Sequence, residues 1–190
     1  MAQVWKGAEV TAALNRELAE RIEKLKMCGV SPRLAIVRMG ENDGDMAYER
    51  NAIKRCESLG ISVECVALDA SAAEETLLRA IRSINDDASI HGCLLLRPLP
   101  KHINDAAARN ALRPEKDVDG ITDASLAGVF ANEPKGFPPC TAAACMQLLR
   151  HYGCAPEGKR AVVIGRSLVV GRPVAMLLMH QNATVTVCHT

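Results

Sequence analysis

The stretch VVIGRSLVVGRP, residues 162–173, brings glycines, a cation and a hydroxyl together at a spacing suited to holding phosphate. A strand ending on Gly165 and a helix opening near Gly171 leave backbone N–H groups between them. The positive end of a helix dipole favours an anion at such a place. Gly171 falls at the packing position of the helix, while Arg166 and Ser167 supply a charged and a hydroxyl donor where phosphate would sit. The spacing is not G-x-G-x-x-G, so a plain strand-to-helix turn stays open as the alternative. The next strand ends VCHT, without the acidic residue that would accept a ribose 2′-hydroxyl. Arg166 together with that missing acid leans toward NADP over NAD.

A second place asks for a reason other than core packing. In DMAYERNAIKRCESLGI, residues 45–61, Met46, Ile53, Cys56 and Leu59 recur at helical spacing and form a core-facing stripe. Tyr48 lies off that stripe. Ala52, one turn along on the same face, has almost no side chain.

The elements that must position these groups alternate. A helix from Glu9 to about Cys28 precedes the strand RLAIVRM (33–39); after the Tyr48 helix come ISVECVAL (61–68), a helix from Ser71 to about Asn85, GCLLL (92–96) and a helix from about Asn104 to Leu112. Strands alternating with helices imply parallel β-α-β units and an α/β sheet. The Pro/Gly-rich loop NEPKGFPP (132–139) is the boundary candidate. It divides an N-terminal α/β domain, residues 1–139, from a Rossmann-like domain that starts at residue 140. That second part holds a helix from Thr141, the expected N-cap, to His151, then strand KRAVVIG, a helix from Val170 to His180, and strand ATVTVCH. A dinucleotide fold needs more strands than these two, so the domain is expected to be incomplete at Thr190.

Composition narrows the function classes. With 190 residues, 48% hydrophobic and 24% charged, the chain has ordinary globular make-up and enough length for a buried core. A net charge of +1, with Lys and Arg scattered, supplies no footprint for nucleic acid. No apolar h-region follows the first residues and no apolar run is long enough to span a bilayer, so the expectation is a cytoplasmic protein with no membrane partner. Eight cysteines without any C-x-x-C argue against metal and disulfide; Cys65, Cys93 and Cys188, inside apolar runs, read as reduced, buried small hydrophobes.

The whole chain resembles the bifunctional methylenetetrahydrofolate dehydrogenase/methenyltetrahydrofolate cyclohydrolase family. The resemblance rests on an ordered series: Tyr48 with KRCESLGI after it, PLPKHI (98–103), PEKDVDG (114–120), PCT (139–141), GRSLVVGRP (165–173) and TVTVCH (184–189). It implies two α/β domains flanking a cleft, folate on the first, NADP on the second, and a homodimer. Tyr48 would stack on and position the tetrahydrofolate substrate as the catalytic tyrosine. Pro98 and Leu99 would shape the pocket wall, or form only a strand-ending turn. Asp119 would hydrogen-bond the pterin ring, although Asp117 and Asp119 beside Gly120 also suit a turn. Gly165, Arg166, Ser167 and Gly171 would hold NADP, with His189 and Thr190 near its adenosine side. Cys140 and Thr141 lie at the inter-domain hinge, Cys140 as a structural thiol.

The chain departs from the family at two positions. Where the family places a lysine four residues after the tyrosine, this chain has Ala52. Where it places a glutamine two residues before the first proline of PLP, this chain has Leu96. Lys54 points roughly 200° away from Ala52 around the helix. Arg55 shares Ala52's face and Arg97 adjoins Leu96, but an arginine keeps its proton and is no base. Hydride transfer needs two rings held close, whereas hydrolysis needs an activated water and proton transfers. The expectation is therefore a dehydrogenase whose cyclohydrolase step is in doubt. The alternatives are a fully bifunctional enzyme and a non-catalytic folate- or nucleotide-binding relative.

Overall fold

Strand RLAIVRM becomes β1 (Arg33–Met39), the centre of a three-stranded parallel sheet with β2 (Ser62–Leu68) and β3 (Gly92–Leu95) on its two sides. Ala35, Ile36 and Val37 are fully buried, as a continuous apolar run covered on both faces of a parallel sheet should be. The structure, a computed structural model, describes residues 4–189. In it, Asn15–Val118 form one compact unit, and the N-terminal residues up to Leu14 group with the chain from Asp119 onward in another.

The first unit's helices are most of α1 (Gly7–Met27), α2 (Asp43–Ser58), α3 (Glu74–Asp86) and α4 (Asp105–Ala111). α3 buries Leu77, Ile81 and Ile84, one stripe at helical spacing. α2 starts where the Asn42 side chain accepts a hydrogen bond from the Gly44 amide at 2.8 Å, meeting one of the orphan donors of a helix start. It buries no residue completely. A 3-10 turn, Pro114–Lys116, closes the unit. From it the Lys116 ammonium donates to the Ile84 and Asp87 carbonyls, at 2.6 and 2.7 Å, across the end of α3.

The second unit contains α5 (Asp123–Ala131), α6 (Cys140–His151), α7 (Gly171–His180) and the parallel pair β4 (Arg160–Ile164) and β5 (Thr184–Cys188). Ala161, Val163 and Val185 on one face of that pair pack on a core of Met146, Leu178 and Ala183. Val162 and Ile164, pointing to the other face, are exposed. The N-terminal residues are tied to the end of α6: the Trp5 and Tyr152 rings stack with centroids 5.2 Å apart, and the Lys6 amide donates to the Tyr152 hydroxyl at 2.9 Å.

Four local expectations need correction. Helix α5 was not anticipated, although Thr122, whose hydroxyl accepts from the Ser125 amide, and the left-handed Asn132 are ordinary start and stop signals. Helix α6 begins one residue early, with Pro139 at the cap position, so Thr141 lies inside its first turn and does not cap it. Among the cysteines Cys93 alone is buried, on β3 where Asp117 bridges to it from the far side; Cys65 on β2 and Cys188 on β5 are exposed. Arg55 lines a surface depression with Asn51, Lys54 and Ser58 and is exposed, away from the packed side of Ala52.

Burial, with the Asp117 carboxylate nearby, pushes the Cys93 thiol up from its usual value to about 12. A thiol that stays protonated is a poor nucleophile. A maleimide at about pH 8 is expected to label Cys28, Cys140 and Cys188 on the surface while Cys93 stays unlabelled. Peptide mapping checks this, and Cys93 labelled at the rate of the exposed thiols would show that the β1–β3 core opens freely.

Candidate active site

The first unit brings together, from distant parts of the chain, the two residues that depart from the family pattern. Ile36, Leu94 and Leu96 form one buried apolar cluster, and Ala52 and Ile53 of α2 pack against it. The sheet builds this arrangement by register: Val37 pairs with Leu95, and the Leu96 amide donates to the Val37 carbonyl at 2.8 Å, continuing the ladder past the end of β3. Leu96 thus shares the face of Ile36 and Leu94. Ala52 enters that face from the helix above.

Tyr48, one turn before Ala52, is 57% exposed, so its ring lies outside the core. Pro98 and Leu99 come shortly after β3, beyond Leu96 and Arg97, Pro98 exposed and Leu99 half-buried, with the Arg97–Pro98 peptide cis. Arg97 is engaged with Asp105 of α4, to which it donates two parallel hydrogen bonds of 2.6 Å. Such a forked pair fixes the guanidinium and gives it a carboxylate partner. Within PEKDVDG the residues divide. Lys116 serves the end of α3, Asp117 is fully buried at a bridge to Cys93, and Asp119, half-buried, begins the second unit. Sequence reasoning missed the scaffold role of Lys116, because the α3 end it serves lies about 30 residues earlier in the chain and only the fold brings the two together.

In the second unit GRSLVVGRP forms the loop between β4 and α7. Gly165 has φ +128°, a conformation L side chains rarely adopt, and its amide donates to the Cys188 carbonyl at 2.9 Å. A Cβ on Gly171 would stand 2.2 Å from the Gly165 carbonyl oxygen and 2.8 Å from the Arg166 nitrogen, so strand end and helix start approach as closely as backbones can. The Ser167 hydroxyl accepts from the Val170 and Gly171 amides at 3.1 and 3.3 Å, which leaves its proton directed elsewhere. The Arg172 guanidinium donates to the Arg166 carbonyl at 3.0 Å and braces the loop from the helix. Arg166 itself is exposed and makes no side-chain ion pair among the described residues; His189 is exposed, and Thr190 lies outside the described residues. A cavity of about 210 Å³ adjoins the loop, lined by Leu168, Arg172, Pro173 and Met176 with residues of α5. Backbone approach, a spare hydroxyl proton and an unpaired cation fit an anionic ligand.

Comparison with known proteins matches the chain in two stretches. The tetrahydrofolate dehydrogenase/cyclohydrolase catalytic domain matches residues 5–119, and the NAD(P)-binding domain of the same family matches residues 139–190. The bifunctional protein FolD of Carboxydothermus hydrogenoformans is 46% identical over all 190 residues, which cover 66% of that protein; that of Alkaliphilus oremlandii is 42% identical, with 67% covered. The chain thus spans about two thirds of the length of these relatives. Among solved structures, a Campylobacter jejuni methylenetetrahydrofolate dehydrogenase/cyclohydrolase superposes with TM-score 0.92 at 37% identity, covering 96% of this chain and 65% of that one. A Trypanosoma brucei methylenetetrahydrofolate dehydrogenase-cyclohydrolase, complexed with NADP and an inhibitor, superposes with TM-score 0.90 at 34% identity, covering 99% of this chain and 64% of its own. Sequence and fold agree along the full length: this chain belongs to the tetrahydrofolate dehydrogenase/cyclohydrolase family.

Proposed function

We propose that the protein oxidises 5,10-methylenetetrahydrofolate to 5,10-methenyltetrahydrofolate with NADP, and that its hydrolytic step to 10-formyltetrahydrofolate is severely weakened. The observation that carries the second half is the apolar contact of Ala52 with the Leu96 cluster, where the family resemblance calls for a lysine and a glutamine. When bound, the nicotinamide accepts the hydride. What the chain does is hold and orient. Tyr48 offers a ring face for the folate, Pro98 and Leu99 a wall, and Asp119 a carboxylate for the pterin. The Gly165–Gly171 loop, with Arg166 and the Ser167 hydroxyl, takes the cofactor phosphates, and His189 and Thr190 belong to its adenosine side. This reading assigns residues 1–139 to the folate domain and 140 onward to the cofactor domain. A homodimer and a cytoplasmic location go with it; among the described residues no helix is long and apolar enough to cross a membrane.

Following NADPH and methenyltetrahydrofolate absorbance together, on the full-length protein, tests the reading. No NADPH formation from methylenetetrahydrofolate would end it and favour a non-catalytic relative. Cofactor choice has its own test. Arg166→Ala is expected to weaken NADP by roughly 10-fold or more and NAD far less, since a charge-assisted contact to the 2′-phosphate is lost. Equal losses for both cofactors would make Arg166 a turn residue only.

A further inference from the structure

Ala52 and Ile53 rest on the sheet, yet α2 has no fully buried residue to key its rotation. A charged pair supplies that key. Arg38 Nε donates to Glu49 Oε2 at 2.9 Å, with side chains only 12% and 13% exposed, against 33% and 40% for Arg97–Asp105. Arg38 Nη1 also donates to the carbonyl of Gly40, whose amide in turn donates to Leu68 at the end of β2. One guanidinium therefore joins the helix, the turn that launches it and, through Gly40, the neighbouring strand.

The place of this pair in the sheet matters as much as its enclosure. Arg38 lies one step past the Val37–Leu95 pairing, beside Leu96 and on the same face as Ile36. Glu49 directly follows Tyr48 and precedes Ala52 by three residues, so it borders, from the helix side, the place where Ala52 packs on the Leu96 cluster. Removing one member of an enclosed pair leaves the other charge without compensation, and the element bearing it shifts to reach water. A turn of α2 by a single residue is about 100°, enough to carry Tyr48 off its face.

We propose that Arg38 and Glu49 are positioning residues that lock the rotation of α2 and thereby aim Tyr48 at the folate. The proposal rests on the reading of Tyr48 as a folate-facing residue. It is tested on the full-length protein with Arg38→Met, Glu49→Gln and the exchange Arg38→Glu/Glu49→Arg. Each single variant is expected to lower kcat/KM for methylenetetrahydrofolate by roughly 10- to 100-fold, mainly through KM, with KM for NADP unchanged. The exchange variant recovers much of that loss. Amide exchange, read without any ligand, is expected to quicken across α2 and not in α3. Unchanged exchange in α2, or a parallel rise of both KM values, overturns the proposal. So does loss of kcat in Glu49→Gln alone, since Glu49 would then act on the substrate itself. A wild-type protein inactive on methylenetetrahydrofolate, with α2 exchange still responding to Arg38→Met, would instead place the failure in the functional reading and sink the aiming of Tyr48 while leaving the lock.

Discussion

Methenyltetrahydrofolate is expected to accumulate during turnover, with its hydrolysis slower than NADPH production by roughly 10²- to 10⁴-fold, the usual worth of a proton-transfer group. The reason lies in the apolar cluster of Ile36, Leu94 and Leu96 against which Ala52 packs. The helix contributes a methyl group, the strand an isobutyl group, and Ile36 and Leu94 complete an apolar floor. Of the neighbouring cations, Lys54 and Arg55 sit on the exposed side of α2, Arg38 is paired with Glu49 and Arg97 with Asp105. An arginine, moreover, cannot release its proton to accept one. The restoring experiment is Ala52→Lys with Leu96→Gln, which returns both an amine and an amide partner to the site. The pair is expected to recover hydrolysis, and Ala52→Lys alone less of it, because a new ammonium beside the Leu96 cluster would lack the amide that Leu96→Gln supplies and would compete with Arg38 for Glu49. Wild-type hydrolysis keeping pace with NADPH would show that another group activates the water, and the protein would then be fully bifunctional, as its curated relatives are named.

Gly171→Ala is expected to weaken cofactor binding by more than about tenfold with a single methyl group. The new Cβ would meet the Gly165 carbonyl oxygen at 2.2 Å and its carbon at 2.5 Å, and both are backbone atoms that no rotamer change can move. Either α7 lifts from β4 or the loop is pushed outward. Overpacking of this kind costs about 1–3 kcal/mol in stability. Displacing the loop also breaks the arrangement in which Ser167 caps the helix and Arg172 braces the Arg166 carbonyl. NADP affinity should fall by more than about tenfold, with a lower melting temperature. Titration calorimetry decides it: a destabilised variant with normal NADP affinity would make Gly171 a packing glycine and remove the loop from the cofactor site.

What the sequence determined by itself was local. The alternation of apolar runs with helical stripes was enough for parallel α/β units, since both periods are set by neighbours within a few residues. Gly165 and Gly171 marked a tight strand-to-helix turn for the same reason, and Tyr48 stood off the apolar stripe of its own helix. What the tertiary structure alone decided was which distant residues share a face. The register of β3 on β1 set Leu96 beside Arg38, and the placement of α2 above them brought Ala52 and Glu49 to the same spot. Burial followed the same rule. Cys65 and Cys93 both lie in apolar runs and on edge strands, yet Asp117 bridges to Cys93 on the open edge of β3, and one thiol is exposed while the other is enclosed. Lys116, unassigned in the sequence, gained a role only when the fold carried the end of α3 to its ammonium. Side-chain period is written residue by residue along the chain, whereas strand order and register are settled by pairing between segments far apart in it, and the chemistry of Ala52 with Leu96 exists only after that pairing is made.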